Sequence, residues 1–488
     1  MDILDAIFLR TPCREFTGEP IPDAALEAIL EGARWGPSAM NVHNHRTMVV
    51  RDPETKEFLA ENMEETHQAF NRFGTGGQYM SRLWWLPEEL RPAAMDQAQR
   101  RSRSSYLAKA DALMLAFTNP NWFDTLGVVY EAIGTVTTAK AYTNMWVAAT
   151  ALGVGASFHM ASFADPRRQE VILDRLGVPR TWKLLGILAL GHPKHKSRVR
   201  APKFPVESIA FEDYWGRPWK RVAFRNGTSP ASERKTCSVD ALEALRLRRS
   251  ARGFKTGPEG HVPDWKIEVL LEAARCAPGP WNAPSARFLV IRDPETKKFI
   301  GQCGRESGQM VFGAVPWEEV SNRMWYVPEA MLPRVLEETT SGELFAYPEK
   351  ASAIIIPLTS VQWIDIPITL HDPTPYLTSL AMSIQNMWLA TTALGVGLGY
   401  NGLPFIDLRK RGTILKRLGV PDSWLGNWTL NIGVPEHRRM AGPPRWPLEV
   451  IAFDERWGRR YKRIAFREPP RQPAHVPAPQ PAPASAEA

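Results

Sequence analysis

The chain has 488 residues, of which 44% are hydrophobic and 23% are charged, a balance typical of globular proteins that excludes a disordered or fibrous chain. This length exceeds what one hydrophobic core usually holds, so at least two domains are expected. The net charge of +8 comes with dispersed basic residues and no nucleic-acid-binding motif, so we expect no nucleic-acid partner.

The cysteines and the N-terminus bear on the compartment. Four cysteines are scattered without C-x-x-C spacing, which argues against a disulfide framework or a zinc ribbon. The first residues, MDILDAIFLR, carry acids where a signal peptide needs positive charge, and no apolar run reaches the roughly 18 residues that span a bilayer. We therefore expect a cytoplasmic protein without a membrane partner.

In chain order, the first clear element is a helix that follows Pro22, where Asp23 is positioned to cap a segment with apolar residues at helical spacing. The short segments TMVVRD, DALMLAF and LLGILALG are typical of buried strands. Residues 144–152 are apolar on nearly every side and are followed by Gly153, which predicts a core helix with a glycine C-cap. Strands interleaved with long apolar helices indicate an α/β or α+β domain.

The same elements occur a second time. IAFEDYWGRPWKRVAFR begins at Ile209 and IAFDERWGRRYKRIAFR begins at Ile451, an offset of 242 residues. MWVAATALGVG at Met145 recurs at the same offset as MWLATTALGVG at Met387. The chain is therefore a tandem repeat. We assign residues 1–225 and 238–467 to two domains, 226–237 to a polar linker, and 468–488 to a disordered tail rich in proline and alanine.

Common hydrolase and metalloenzyme signatures do not occur in the sequence, which contains neither G-x-S-x-G nor H-E-x-x-H. His192 and His195 lie three apart, but only His195 has a histidine counterpart in the other copy, so we expect no metal site. The glycine-rich GVGLG at Gly395 follows a helix rather than a strand, which disfavours a dinucleotide-binding fold.

The segment RRSARGF, residues 248–254, is the most informative cluster. On an extended backbone, Arg248, Ser250 and Arg252 point the same way and offer cationic and hydroxyl donors to a phosphate and a polar ring edge. From spacing alone, an exposed basic strand is the simpler interpretation.

The surrounding motifs favour the ligand-binding interpretation, because the chain resembles the FMN-dependent nitroreductase family. Its members open with R-R-S-x-R-x-F, continue with a helix that ends in P-S-x-x-N-x-Q-P-W, and close with G-x-P and a downstream basic residue. Here the second copy keeps the opening motif, and the first copy keeps Pro37, Ser38 and Asn41 of the helix-end motif. The closing element of the second copy is residues 433–435 with Arg445.

The resemblance implies an α+β fold with two nitroreductase-like three-layer α/β/α domains. Each domain is a mixed, mostly antiparallel sheet flanked by helices, and the two pack as an intramolecular pseudo-dimer. The resemblance also implies FMN sites in the interface. Each site takes the opening motif and the late basic residue from one copy and P-S-x-x-N from the other.

One such site keeps every polar group. Composite site A is defined by the residues Arg248, Arg249, Ser250, Arg252 and Arg445 of the second copy with Pro37, Ser38 and Asn41 of the first. By resemblance, Arg248 and Arg445 hold the FMN phosphate and Ser250 the ribityl chain. Arg252 is the catalytic residue, at the flavin N1–C2 carbonyl edge, where a cation favours the reduced anion.

The other site, composite site B, is degenerate. It joins Arg10, Arg14 and Lys203 of the first copy with Asn282 of the second, and Pro12 and Gly279 replace the two serines. We therefore predict one good flavin site per chain.

Three further residues are candidates for substrate binding: His43, Trp84 and Trp85. His43 stands where the family has glutamine, and the tryptophan pair recurs in the second copy as Trp325 and Tyr326. Such aromatic pairs either form a lid that stacks on a planar substrate or pack in the core, and both interpretations stay open.

By resemblance, the protein is an FMN-dependent oxidoreductase that works in alternating half-reactions. It passes electrons from NADH or NADPH to a small aromatic or conjugated acceptor, such as a nitro compound or a quinone. A flavin-sequestering protein with little turnover is the alternative, and a structural relic without flavin is a third. The direction of the reaction and any further oligomerisation stay open.

Overall fold

The computed structural model describes residues 1–72, 83, 86–100, 104–119, 128–160, 166–195, 202–222, 236–279, 282, 285–322, 324–360, 374–437 and 443–466. The predicted linker 226–237 lies outside the described residues except for its last two positions, and the predicted tail 468–488 lies wholly outside them.

The described helices of the first copy are α1 (Ile3–Leu9), α2 (Asp23–Arg34), α3 (Pro53–Arg72), α4 (Arg91–Arg100), α5 (Tyr106–Lys109), α6 (Val128–Ala151), α7 (Pro166–Leu176) and α8 (Val206–Ile209). Its strands are β1 (His45–Val50), β2 (Ala112–Thr118), β3 (Gly155–His159), β4 (Lys183–Gly191) and β5 (Ala210–Glu212).

The described helices of the second copy are α9 (Ala241–Leu247), α10 (Asp264–Arg275), α11 (Pro294–Phe312), α12 (Trp317–Asn322), α13 (Leu332–Thr340), α14 (Thr374–Leu394), α15 (Leu408–Arg417) and α16 (Leu448–Ile451). Its strands are β6 (Ala286–Ile291), β7 (Ala353–Thr359), β8 (Gly397–Asn401), β9 (Leu425–Gly426), β10 (Thr429–Gly433) and β11 (Ala452–Asp454).

The strands form two sheets that exchange their last strands. One sheet has the order β11-β1-β2-β4-β3, and the other has the order β5-β6-β7-β10-β8 with β9 paired to β7. The exchanged strands β11 and β5 run parallel to β1 and β6, whereas the remaining named strand pairs are antiparallel. The expected α+β fold with mixed, mostly antiparallel sheets is therefore confirmed, and each sheet is completed by the other copy.

The predicted buried strands are confirmed. DALMLAF and LLGILALG form β2 and β4, and both strands are buried over nearly their whole length. Strands covered on both faces by helices need apolar side chains on both sides, which explains why these segments are continuously apolar.

Two long helices, α6 and α14, pack against each other and contribute to one hydrophobic core. The predicted core helix 144–152 is the C-terminal part of α6, and Gly153 follows it with a left-handed φ of 74°. Asn144 links the copies, because its Oδ1 accepts a hydrogen bond from Gln385 Nε2 at 2.6 Å. No helix in the described part of the chain is long and apolar enough to cross a membrane.

The predicted capping role of Asp23 is wrong. The residue before α2 is Pro22, and no side-chain cap forms there, because Asp23 is already the first helical residue. Its carboxylate instead binds Arg51 Nη1 at 2.7 Å. An acid in the first turn still opposes the positive end of the helix dipole.

A close contact joins the opening motif to the closing element of each copy. A Cβ atom on Gly433 would lie 2.5 Å from the Phe254 ring, and one on Gly191 would lie 2.6 Å from the Phe16 ring. Only glycine leaves room for these aromatic rings, so the G-x-P element holds the R-R-S-x-R-x-F segment in place through its phenylalanine.

Candidate functional site

Composite site A brings residues of both copies together. Asn41 ends a short 3-10 turn after α2 and has a left-handed φ of 56°, which asparagine tolerates. Its Nδ2 donates to the Pro444 carbonyl at 2.9 Å, and its Oδ1 accepts from Arg445 Nη1. The helix-end motif of the first copy therefore fixes the late arginine of the second.

Arg248 is a buried cation without a counterion among the described residues. It follows the last turn of α9, is 2% exposed, and packs its guanidinium 4.6 Å from the centre of the Trp388 ring. Its Nε and Nη1 have no hydrogen-bond partner in the described part of the chain. Burial lowers the Arg248 pKa well below its ordinary value, and the charges of Arg445 and Arg249 lower it further. These donors are arranged to receive an anion.

A second group of cations surrounds Trp35, at the end of α2. The guanidinium groups of Arg34, Arg249 and Arg445 lie 4.8, 5.7 and 5.9 Å from the centre of this ring. Arg34 is paired with Glu31 at 2.7 Å, whereas Arg249 and Arg445 have no carboxylate partner among the described residues. Burial lowers the pKa of Arg445 to about 10. Site A therefore carries an excess of positive charge.

The rest of the opening motif runs outward from Arg248. Ser250 is half-buried and forms an isolated parallel bridge with Leu398 of β8, and Arg252 is exposed. Burial raises the pKa of Tyr326 and of Tyr347, and the positive charge of Arg252 opposes this rise. Arg252 therefore places positive charge at the exposed end of the motif.

A hydrogen bond within the helix-end motif supports its turn. Pro37 is buried, and Ser38 is half-buried with its Oγ accepting the His43 backbone N–H at 3.2 Å. The Ser38 hydroxyl therefore stabilises the turn that presents Asn41.

His43, a candidate substrate residue, lies inside the cluster. Its ring is fully buried, stacks on Trp446 at 5.8 Å with an interplanar angle of 21°, and has no partner for Nδ1 or Nε2 among the described residues. Burial, with the charges of His45 and Arg445, lowers the His43 pKa to about 2. The ring is therefore neutral at pH 7.

The proposed lid residues Trp84 and Trp85 lie outside the described residues, so their role stays a prediction. Their counterparts in the second copy are Trp325, which is exposed, and Tyr326, which is half-buried. The positive charges of Arg252 and Arg445 oppose the rise that burial causes in the Tyr326 pKa. Sequence reasoning raised Tyr326 as a possible lid residue but did not assign Trp35 or Trp446 to the site. Adjacency to the helix-end motif and to Arg445 was the available signal for the two tryptophans.

Composite site B repeats the scaffold but uses its donors differently. Arg10 is buried and packs 4.3 Å from the Trp146 ring, as Arg248 packs on Trp388, and Arg14 is exposed. Three hydrogen bonds tie the site to main-chain carbonyls: Arg10 Nη2 to Cys276 at 3.1 Å, Lys203 Nζ to Ala277 at 3.1 Å, and Asn282 Nδ2 to Pro202 at 2.9 Å. The asparagine bond has its equivalent in site A, where Asn41 donates to Pro444, so the sites differ at Arg10 and Lys203, which each give a donor to a main-chain oxygen.

The fold and this site define a class: a duplicated α+β protein with a cationic, aromatic-lined site that both copies build. The chain belongs to the nitroreductase family. The profile described as "Nitroreductase family" matches residues 7–192 and 245–433.

Individual relatives match about one copy of the repeat. A protein named "NADH dehydrogenase" from Thermus thermophilus is 27% identical over 215 residues, which cover 43% of this chain and 95% of that protein. "Protein DrgA" from Synechocystis is 24% identical over 242 residues, which cover 45% of this chain and 98% of that protein. Among solved structures, a nitroreductase with bound FMN from Bacteroides fragilis is 21% identical, with a TM-score of 0.32, and the match covers 43% of this chain and 97% of that one.

Proposed function

We propose that composite site A binds FMN and that the protein is an FMN-dependent oxidoreductase. The observation that carries the proposal is Arg248, whose buried Nε and Nη1 have no partner among the described residues. Arg445, fixed by Asn41 of the other copy, is the second cation of the same charge cluster. A phosphate monoester carries close to two negative charges and three acceptor oxygens, so it fits this donor set.

When bound, FMN supplies the redox chemistry, including hydride exchange with a nicotinamide. The residues of the chain bind and orient it. Arg248 and Arg445 pair with the phosphate, and the Ser250 hydroxyl donates to the ribityl chain. Arg252 supplies positive charge where negative charge accumulates on reduction.

We propose NADH or NADPH as the electron donor and a small aromatic or conjugated compound, such as a nitro compound or a quinone, as the acceptor. The name of the Thermus relative supports a nicotinamide donor. The aromatic side chains of Trp446 and Tyr326 support a planar ligand, because such rings stack on flat molecules. The assignment of Trp84, Trp85 and His43 to the acceptor belongs to this proposal.

The assembly and location of the protein are also proposals. The exchange of β5 and β11 and the packing of α6 on α14 support an intramolecular pseudo-dimer with domains at 1–225 and 238–467. We propose that the protein is located in the cytoplasm.

The purified protein tests the function directly. We expect a yellow protein with a flavin absorbance spectrum that oxidises NADH or NADPH faster when a quinone or a nitroaromatic compound is present. Bound flavin without turnover would favour the sequestering alternative. A colourless protein that takes up no added FMN would contradict the proposal.

We predict one FMN per chain. Site A keeps both serines, whereas site B has Pro12 and Gly279 and gives donors of Arg10 and Lys203 to carbonyl oxygens. Loss of two hydroxyl contacts, each worth about 0.5–1.5 kcal/mol, weakens site B by roughly 5- to 150-fold. The measurement is FMN released per chain after saturation and gel filtration. Two equivalents with equal affinities would show that the sites do not differ.

A further inference from the structure

Lys140 projects from α6 of the first copy into the interface beside composite site A. It is 4% exposed, and its Nζ lies 3.6 Å from the centre of the Tyr400 ring and 5.5 Å from that of Trp388. The Tyr400 and Trp388 rings stack at 6.0 Å, and Arg248 packs on the same tryptophan. Two cations from different copies therefore share one aromatic pair.

Lys140 lacks the kind of hydrogen-bond partner that the buried Lys56 has. Its Nζ makes no hydrogen bond or ion pair within the described ranges. By contrast, Nζ of the buried Lys56 donates to the Ala110 carbonyl at 2.8 Å. Burial lowers the Lys140 pKa well below its ordinary value, and the charge of Arg248 lowers it further. A buried ammonium without a hydrogen-bonded partner is costly, so an anion bound beside Lys140 would stabilise its charged form.

The buried lysine and its tyrosine occur at site A and not at the equivalent positions of site B. In the register that aligns Met145 with Met387, Lys140 corresponds to Met382 and Tyr400 corresponds to Phe158. Site B therefore has neither the extra cation nor the phenol. The buried lysine coincides with the site that keeps both serines.

We propose that Lys140 is an anion-binding residue of composite site A that, together with Arg248, pairs with the phosphate of the bound flavin and selects FMN over unphosphorylated riboflavin. This inference rests on the proposed function. The phosphate brings close to two negative charges to a site whose described cations outnumber its described anions, and each charge-assisted contact strengthens in a buried setting.

The test replaces Lys140 by the residue that the other copy has at this position. We expect Lys140→Met to weaken FMN binding about 10- to 150-fold and to leave riboflavin binding unchanged, as measured by titration of flavin fluorescence against the flavin-free protein. The same variant should unfold at a higher urea concentration than the wild type when both are free of flavin, because an apolar side chain replaces an unpaired charge.

Lys56→Met is the matched control. It removes a buried lysine whose ammonium donates to the carbonyl of Ala110, which is not a residue of site A, so it should lower the urea midpoint and leave FMN affinity unchanged.

Three outcomes would overturn the inference: unchanged FMN affinity in Lys140→Met, an equal loss of FMN and riboflavin affinity, or a lowered urea midpoint of the flavin-free variant. The last would show a structural lysine. A wild-type protein that binds no flavin would overturn the proposed function as well, whereas normal wild-type binding with an unaffected variant overturns the role of Lys140 alone.

Discussion

The Arg248→Ala variant is expected to lose FMN affinity by about 10- to 150-fold, since a charge-assisted phosphate contact contributes about 1.5–3 kcal/mol. Arg248 is 2% exposed, and its Nε and Nη1 have no partner among the described residues, so binding is the step that satisfies them. Isothermal titration of the flavin-free variant with FMN measures the change. Unchanged affinity would contradict the assignment of site A.

The matched control is Arg10→Ala. Arg10 occupies the same place in site B, packs on Trp146, and donates Nη2 to the Cys276 carbonyl at 3.1 Å. This variant should lose stability because it removes buried packing and a hydrogen bond, but FMN affinity at site A should stay unchanged. Equal losses of FMN affinity in the two variants would show a general effect of disrupting the interface.

The repeat and the core were predictable because they depend on local patterns. Long apolar segments such as those of β2 and β4 become strands buried on both faces, and the offset of 242 residues shows the duplication directly. The exchange of β5 and β11 was not predictable. Each is three residues long, so its partner is set by the path of the whole chain rather than by its own side chains.

The site was predictable only where a residue matched a family motif. Arg248, Arg445 and Asn41 carry such motifs, and the structure brings all three into or beside one charge cluster. The sequence did not predict that Lys140 and Trp35 lie at the site, because both are in segments with the pattern of an ordinary helix. Their relation to the site depends on how the helices of the two copies pack, which no spacing within one copy reveals.

Below pH 6.5 the protein is expected to lose stability steeply because of two buried histidines. Burial lowers the pKa of His43 to about 2 and that of His45 to about 3, and nearby positive charge on Arg46 and Arg445 contributes to both shifts. The unfolded chain binds protons at these residues near pH 6.5, whereas the folded chain does not. The unfolded state is therefore favoured as the pH falls from 6.5 towards 3.

The expected slope is about 1.4 kcal/mol per pH unit for each histidine, so at pH 4.5 the two together cost about 5 kcal/mol. This cost is comparable to the whole free energy of unfolding of many domains, about 5–15 kcal/mol.

Urea unfolding at pH 7, 6 and 5 measures how the free energy of unfolding changes with pH. In the double variant His43→Asn with His45→Ala the average slope between pH 7 and pH 5 should fall by about 2 kcal/mol per pH unit, because the full slope is reached only well below pH 6.5, and each single variant should remove about half of that. Asparagine suits position 43 because the backbone there has a left-handed φ of 49°, which asparagine tolerates. Alanine suits position 45 because the equivalent residue of the second copy is Ala286. A double variant with the wild-type slope would show that these histidines take up protons in the folded protein.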